Sequence, residues 1–166
     1  MRILGIDPGL ETTGYGLIES ANGQGLKLIE AGLIRTSLKE SLPLRLATVA
    51  RELQALMTQR RPDLLVVEDL YSHYKTPKPA ILMGHVRGVI LSQAALHQIP
   101  VVSYLPTRVK KAVVGRGHAP KLQLARMVRM RLNLSDGRIP ADVSDALAVA
   151  LCYVDSVKSE KLRVKS

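Results

Sequence analysis

The chain has 166 residues, 46% hydrophobic and 23% charged, the composition of one globular domain with an ordinary core, and it carries a net charge of +10. No uninterrupted apolar run approaches the ~20 residues of a membrane span, and the single cysteine, Cys152, cannot form an internal disulfide. These features argue against a disulfide-rich secreted scaffold and a membrane protein, so we expect a cytoplasmic protein with no membrane partner.

Short runs rich in apolar and β-branched residues predict five strands. The first ends in Asp-Pro-Gly, a turn signal, and the second and third are separated by Ala-Asn-Gly-Gln-Gly, a hairpin signal. The fourth run is fully apolar and stops at Glu68. The predicted strands cover residues 2–7, 13–20, 26–36, 64–67 and 101–105.

Five helices are predicted between and after these strands. A near-3.6-residue apolar period marks the first, which should end before Pro62, and a proline opens the second. The predicted helices cover residues 42–60, 79–98, 106–114, 120–132 and 140–154. A mobile loop is expected over residues 71–78. A hairpin followed by alternating strands and helices predicts one α/β domain over residues 1–157, in which helices cover a mixed sheet, and a disordered tail over residues 158–166.

The excess of positive charge is confined to one segment. Residues 70–135 contain no Asp or Glu, but they hold 11 of the 24 Lys and Arg residues and all four histidines. A cationic surface of this kind predicts binding to a phosphate backbone. A lysine-rich face that only keeps the protein soluble is the alternative, but such faces usually mix both signs of charge. The histidines lack metal-ligand spacing, so zinc is not expected.

Four carboxylates occupy positions from which they can converge. Asp7 and Glu68 each end an apolar run, at the strand edge where open α/β sheets bind ligands, while Asp142 and Asp145 share one face of a predicted helix. Taken singly, Asp7 could form a turn, Asp142 could suit a helix start, and Glu68 could join a salt bridge. Together, oxygen ligands near a core predict Mg²⁺, with Mn²⁺ as an alternative, and two such ions about 4 Å apart can cleave phosphodiesters.

Several short motifs resemble those of RuvC-type Holliday-junction resolvases. They are Gly-Ile-Asp-Pro-Gly at 5–9, Thr-Gly-Tyr-Gly at 13–16, Val-Glu at 67–68, Arg-Val-Lys at 108–110, Val-Val-Gly at 113–115 and Asp-Val-Ser-Asp-Ala-Leu-Ala at 142–148. The resemblance, which covers residues 2 to about 153, implies a ribonuclease-H-like α/β fold with a five-stranded mixed sheet flanked by helices. It also implies a homodimer that nicks two strands of a four-way junction symmetrically in DNA recombination and repair, and a partner complex that drives branch migration.

The family's catalytic positions are all acidic in this chain. The resemblance assigns catalysis and two metal ions per subunit to Asp7, Glu68, Asp142 and Asp145. The third of these positions is His in some relatives, and an acid there suits a hard cation. Asp69 departs from relatives that are often uncharged at this point. Strand alternation predicts that its side chain points away from Glu68, outside the metal site.

Candidate DNA contacts come from the acid-free segment. The resemblance matches Tyr71 to an aromatic position that contacts junction DNA, although a tyrosine folded back on the surface is the alternative. It matches Lys110 and Lys121 to basic positions implicated in DNA binding and catalysis. Arg116 and His118 belong to a Gly-rich basic loop, which predicts phosphate contacts.

The helix over residues 80–96 is apolar on nearly every side, which predicts burial on more than one face. One face can cover the sheet and the other a second subunit, with Gly84 and Gly88 allowing another backbone to come close. Contact with the chain's own C-terminal helices is the alternative.

Other functions fit parts of the sequence. The opening Asp-x-Gly motif also resembles the phosphate-binding start of actin, Hsp70 and sugar-kinase ATPases, but those proteins need two such domains. A non-catalytic nucleic-acid-binding module on a nuclease-like scaffold would gain nothing from four acids that repel phosphate. A nuclease of the same type that prefers another DNA or RNA structure stays open.

Overall fold

The computed structural model describes residues 1–21, 25–70, 77–135 and 139–163. Within these ranges, the strands and helices follow one another in the order that the sequence predicts. The strands are β1 Arg2–Asp7, β2 Thr12–Ala21, β3 Gly25–Arg35, β4 Leu64–Glu68 and β5 Val101–Tyr104. The helices are α1 Leu42–Arg60, α2 Pro77–Leu96, α3 Pro106–Val114, α4 Lys121–Arg131 and α5 Ala141–Arg163.

The strands form one mixed sheet of five strands in the order β3-β2-β1-β4-β5. β2 pairs antiparallel with both β1 and β3, whereas β4 lies parallel to β1 and β5 lies parallel to β4. Ile6 of β1 lies opposite Val67 of β4, so the carboxyl ends of these two strands are side by side. The predicted five-stranded mixed sheet is therefore confirmed.

Helices cover both faces of this sheet. Leu4, Ile6 and Val67 are buried with α1 and α2, whereas Ile3 and Val66 are buried with α3, α4 and α5. The two sets alternate along the same strands because successive side chains of a strand point to opposite faces. The result is a three-layer α/β domain with a core on each side of the sheet.

The last helix is longer than the sequence pattern predicted. It continues to Arg163, so residues 158–163 extend α5 instead of forming the expected disordered tail. After Val154 the helix contains neither Pro nor Gly, and its Lys, Glu, Leu and Arg residues favour helix, so nothing local stops it. The loop was predicted over residues 71–78, but Pro77 and Lys78 already belong to α2. The rest of this loop, residues 71–76, and the hairpin turn over residues 22–24 lie outside the described residues.

Helix α2 packs with one face and exposes the other. Val86, Ile90 and Ala94 are fully buried in the core shared with α1, whereas Ile81 and Leu91 are 58% and 36% exposed. Helices α3, α4 and α5 pack on the opposite face of the sheet, so they do not cover the exposed face of α2. The stretch Lys78–Leu96 has 19 residues and a mean hydropathy of 1.2, so it is long and apolar enough to span a membrane. This is weak evidence for a membrane span, because core helices of soluble proteins have the same length and composition.

Candidate metal and nucleic-acid site

The ends of β1 and β4 place two acids next to each other. Asp7 and Glu68 directly follow the paired residues Ile6 and Val67, so they lie at the same edge of the sheet. Because Ile6 and Val67 face α1 and α2, the next side chain on each strand points to the opposite face, toward α5. The two carboxyl groups are close enough for repulsion by Glu68 to help raise the pKa of Asp7.

Glycines on β1 and β2 allow α5 to lie directly on the sheet. A Cβ atom at Gly5 or at Gly14 would overlap backbone carbonyl oxygens of α5. Any larger residue at either position would therefore push the helix away from the strands. The close approach brings the two acids of α5 to the strand edge, and carboxylate oxygens within 4.8 Å of one another come from Asp7, Asp142 and Asp145.

A cleft of about 200 Å³ opens beside these acids. Asp7, Glu68 and Asp145 line it together with Lys110 of α3 and Lys121 of α4. The Nζ atom of Lys121 lies 3.3 Å from a carboxylate oxygen of Asp145. Acidic and basic side chains therefore share one opening, as required where a cation and a phosphate bind side by side.

Burial and repulsion between neighbouring acids raise the pKa of three carboxyl groups at this site. Burial, followed by repulsion from Glu68 and Asp145, raises the pKa of Asp7 to about 8. Burial and repulsion from Asp145 also raise the pKa of Glu68, and burial raises the pKa of Asp145 against the attraction of Lys121. A cation would relieve this repulsion, and the oxygen-only donor set fits a hard divalent ion such as Mg²⁺.

The expected DNA contacts fall into two groups. Lys110 and Lys121 line the cleft with the acids. Arg116 and His118 are exposed between α3 and α4, outside the cleft lining, where the Arg116 guanidinium donates a 2.7 Å hydrogen bond to the Gln123 side chain. The aromatic candidate at position 71 lies outside the described residues.

Sequence reasoning missed a contact at the end of β4. Asp69 lines the same cleft as Asp7, Glu68 and Asp145, but its carboxylate lies 3.3 Å from the guanidinium of Arg87 on α2. The backbone amide of Leu70 also donates a 2.9 Å hydrogen bond to this carboxylate. Asp69 is thus held beside the carboxylate cluster by partners of its own.

The fold and the site together define a class of protein. A mixed sheet of this strand order, with helices on both faces and carboxylates at the carboxyl edge, is the arrangement of a ribonuclease-H-like nuclease. The solved structure of Thermus thermophilus RuvC in complex with Holliday junction substrate matches the chain with a TM-score of 0.89 and 30% sequence identity, and the match covers 96% of each chain. The predicted ribonuclease-H-like fold is therefore confirmed.

Sequence comparison gives the family. Residues 3–153 match the family model of the crossover junction endodeoxyribonuclease RuvC. The chain is 50% identical over 150 residues to the RuvC endodeoxyribonuclease of Rhodopirellula baltica, covering 90% of this chain and 84% of the relative. It is 46% identical over 158 residues to that of Syntrophomonas wolfei, covering 95% and 91%. The chain belongs to the RuvC family of crossover junction endodeoxyribonucleases.

Proposed function

We propose that this protein resolves four-way DNA junctions by metal-dependent phosphodiester hydrolysis, with paired symmetric cuts, in recombination and repair. The observation that carries the proposal is one cleft lined by three of the four carboxylates and two lysines, with the fourth carboxylate, that of Asp142, close to Asp7 and Asp145. Family membership supports the nuclease activity, and a relative whose structure holds a Holliday junction substrate supports the choice of DNA.

The proposed catalytic metal ligands are Asp7, Glu68, Asp142 and Asp145. We assign two Mg²⁺ ions per subunit to them, with Mn²⁺ as a substitute. Bound ions of this kind activate water and stabilise the leaving oxygen of a phosphodiester. The contribution of the protein is geometric, since Gly5 and Gly14 let α5 approach the sheet and so assemble the ligands in advance.

Lys110 and Lys121 are proposed to bind the phosphate group that is cut. The neighbouring Asp145 carboxylate raises the pKa of Lys121, which keeps its ammonium group charged at neutral pH. Asp145 would hold the cation when a metal is bound, and Lys121 would then be available to bind a phosphate oxygen. This change of partner would link substrate binding to a correctly loaded site.

Further DNA contacts are proposed outside the cleft. Arg116 and His118 are exposed in the acid-free segment, where they can bind phosphates of a junction arm. Tyr71 is proposed to stack on a base at the branch point, as aromatic side chains do on unpaired bases. Phosphate contacts of this kind fix the position of the DNA but do not read its sequence.

The exposed face of α2 is proposed to form a homodimer. Ile81, Gly88 and Leu91 lie on this face, and among the described residues a Cβ atom at Gly88 would meet nothing within 4 Å. A glycine there allows the backbone of a second copy to come close. A two-fold dimer would present one carboxylate site to each of two equivalent junction strands, which accounts for paired cuts. We also propose that the dimer acts in the cytoplasm with a complex that moves the branch point.

The test compares labelled four-way junction, duplex, flap and RNA–DNA hybrid as substrates in Mg²⁺ and in EDTA. The junction should be cut at symmetric positions in Mg²⁺ only, and Glu68→Gln should be inactive. Asp155→Asn is the matched control, because Asp155 pairs with Arg131 outside the cleft and should not be needed for cutting. Duplex or hybrid cut as fast as the junction would contradict the proposed substrate. Junction binding without any cleavage in Mg²⁺ would favour a non-catalytic binding module.

A further inference from the structure

Arg87 joins three elements at the end of β4. It belongs to α2, and its Nη1 atom donates a 2.9 Å hydrogen bond to the backbone carbonyl of Glu68. Its Nη2 atom donates a 2.8 Å hydrogen bond to the hydroxyl of Ser103 on β5 and lies 3.3 Å from the Asp69 carboxylate. The Arg87 side chain is only 15% exposed, so these contacts hold its guanidinium at a fixed place.

The contacts of Arg87 bear on the carboxylate site because Asp69 lies beside it. Asp69 follows Glu68 directly and lines the same cleft as Asp7 and Asp145. Its side chain is 43% exposed, so rotation about its own bonds could turn the carboxylate toward the four acids. A fifth carboxylate there would add a negative charge to a site whose carboxylates already repel one another. It would also compete with the substrate phosphate for the cation.

We propose that Arg87 is a positioning residue that keeps Asp69 away from the four proposed metal ligands, so that the site has four carboxylate ligands and not five. The inference rests on the proposed function, since it takes the four acids as the metal ligands. Arg87 acts in two ways at once. Its contact with Asp69 neutralises that carboxylate, and its bond to the Glu68 carbonyl fixes the peptide group between the two acids.

The test measures Mn²⁺ affinity by calorimetry without DNA, together with kcat and KM for junction cleavage. Arg87→Gln releases Asp69 toward the cluster, so Mn²⁺ should bind about tenfold more tightly because of the added charge. In the same variant kcat should fall by roughly tenfold or more with little change in KM, as happens when the partners of metal ligands are removed. Tighter metal binding with slower cleavage is a pattern that a merely destabilised fold would not give.

Two further variants keep the proposal falsifiable. Asp69→Asn in the Arg87→Gln background should return Mn²⁺ affinity to wild type and restore kcat in part, since the bond to the Glu68 carbonyl is still missing. Asp69→Asn alone should remain close to wild type. Arg87→Lys, which keeps the charge, should retain wild-type Mn²⁺ affinity. Unchanged or weaker Mn²⁺ binding by Arg87→Gln, or no recovery in the double variant, would overturn the proposal.

A separate measurement distinguishes this proposal from the proposed function. A double-mutant cycle on Arg87 and Asp69, followed by urea unfolding of the metal-free protein, should give a coupling between the two residues. No coupling would overturn the role of Arg87. If Glu68→Gln binds Mn²⁺ as well as wild type, the assigned metal site fails instead, whatever the coupling shows.

Discussion

Replacing Asp7 by Asn should abolish cleavage and, at the same time, stabilise the metal-free protein near pH 8. Burial and the neighbouring acids raise the pKa of Asp7 from 3.8 to about 8 in the folded state. Because the folded pKa lies above the unfolded one, ionisation of Asp7 costs no stability below about pH 4, and it destabilises the fold increasingly as the pH rises toward 8. Asn carries no charge, so it removes the cause of this loss.

The size of the effect follows from the pKa. A rise from 3.8 to about 8 corresponds to roughly 6 kcal/mol at about 1.4 kcal/mol per pH unit, and the coupled acids share it. Removing one acid should therefore raise the free energy of unfolding by about 2 kcal/mol at pH 8. The gain is smaller than the full value of about 6 kcal/mol because Asn is itself a polar group that loses part of its hydration when buried. With an m-value of about 2 kcal/mol/M, the urea midpoint should rise by about 1 M.

Urea unfolding in EDTA between pH 5 and pH 9 measures this effect. Asp155→Asn is the matched control, because this aspartate forms two 2.6 Å hydrogen bonds with Arg131 and the same substitution should destabilise. Adding Mg²⁺ should reverse the order of Asp7→Asn and wild type, since only wild type has its full set of ligands. An Asp7→Asn variant no more stable than wild type at pH 8 without metal would refute the mutual repulsion.

The remaining predictions concern DNA and assembly. Glu68→Gln should lose cleavage but bind the junction as well as wild type or more tightly, because it removes a charge that repels phosphate; a gel shift that shows binding lost as well would place Glu68 on the DNA. Lys110→Ala should lower the slope of log affinity against log salt by about one, and an unchanged slope would place this lysine away from phosphate. Gly88→Leu should weaken the dimer roughly tenfold or more in sedimentation, because the larger side chain overfills the contact, while Leu122→Glu on the exposed side of α4 should not. Equal dimer affinity in the two variants would move the interface elsewhere.

Much of the fold was predictable because the signals are local. Each strand carries its own apolar or β-branched run, and α1 its own helical period. Asp7 and Glu68 could be placed at a ligand-binding edge because each stands where an apolar run ends. The end of α5 was missed because no Pro or Gly marks it, and the charged residues there suit helix and disorder equally well.

Other features depend on contacts between distant segments. Arg87 lies 19 residues from Glu68, and nothing near it in sequence indicates that it reaches the end of β4. Gly5 and Gly14 are visible in the sequence, but their meaning appears only when strand pairing places both under α5. The exposed face of α2 likewise depends on the side of the sheet against which the helix packs. Its uniformly apolar sequence does not indicate which face is exposed.

The most direct test of the account uses a supercoiled plasmid that extrudes a cruciform, since its products separate single from paired cuts. In Mg²⁺ the protein should convert the plasmid to linear product with little nicked circle, because two carboxylate sites act on one junction. EDTA or Glu68→Gln should leave the plasmid intact. Linear product formed without a divalent metal would contradict the metal site, and nicked circle as the end product would contradict paired resolution by a dimer.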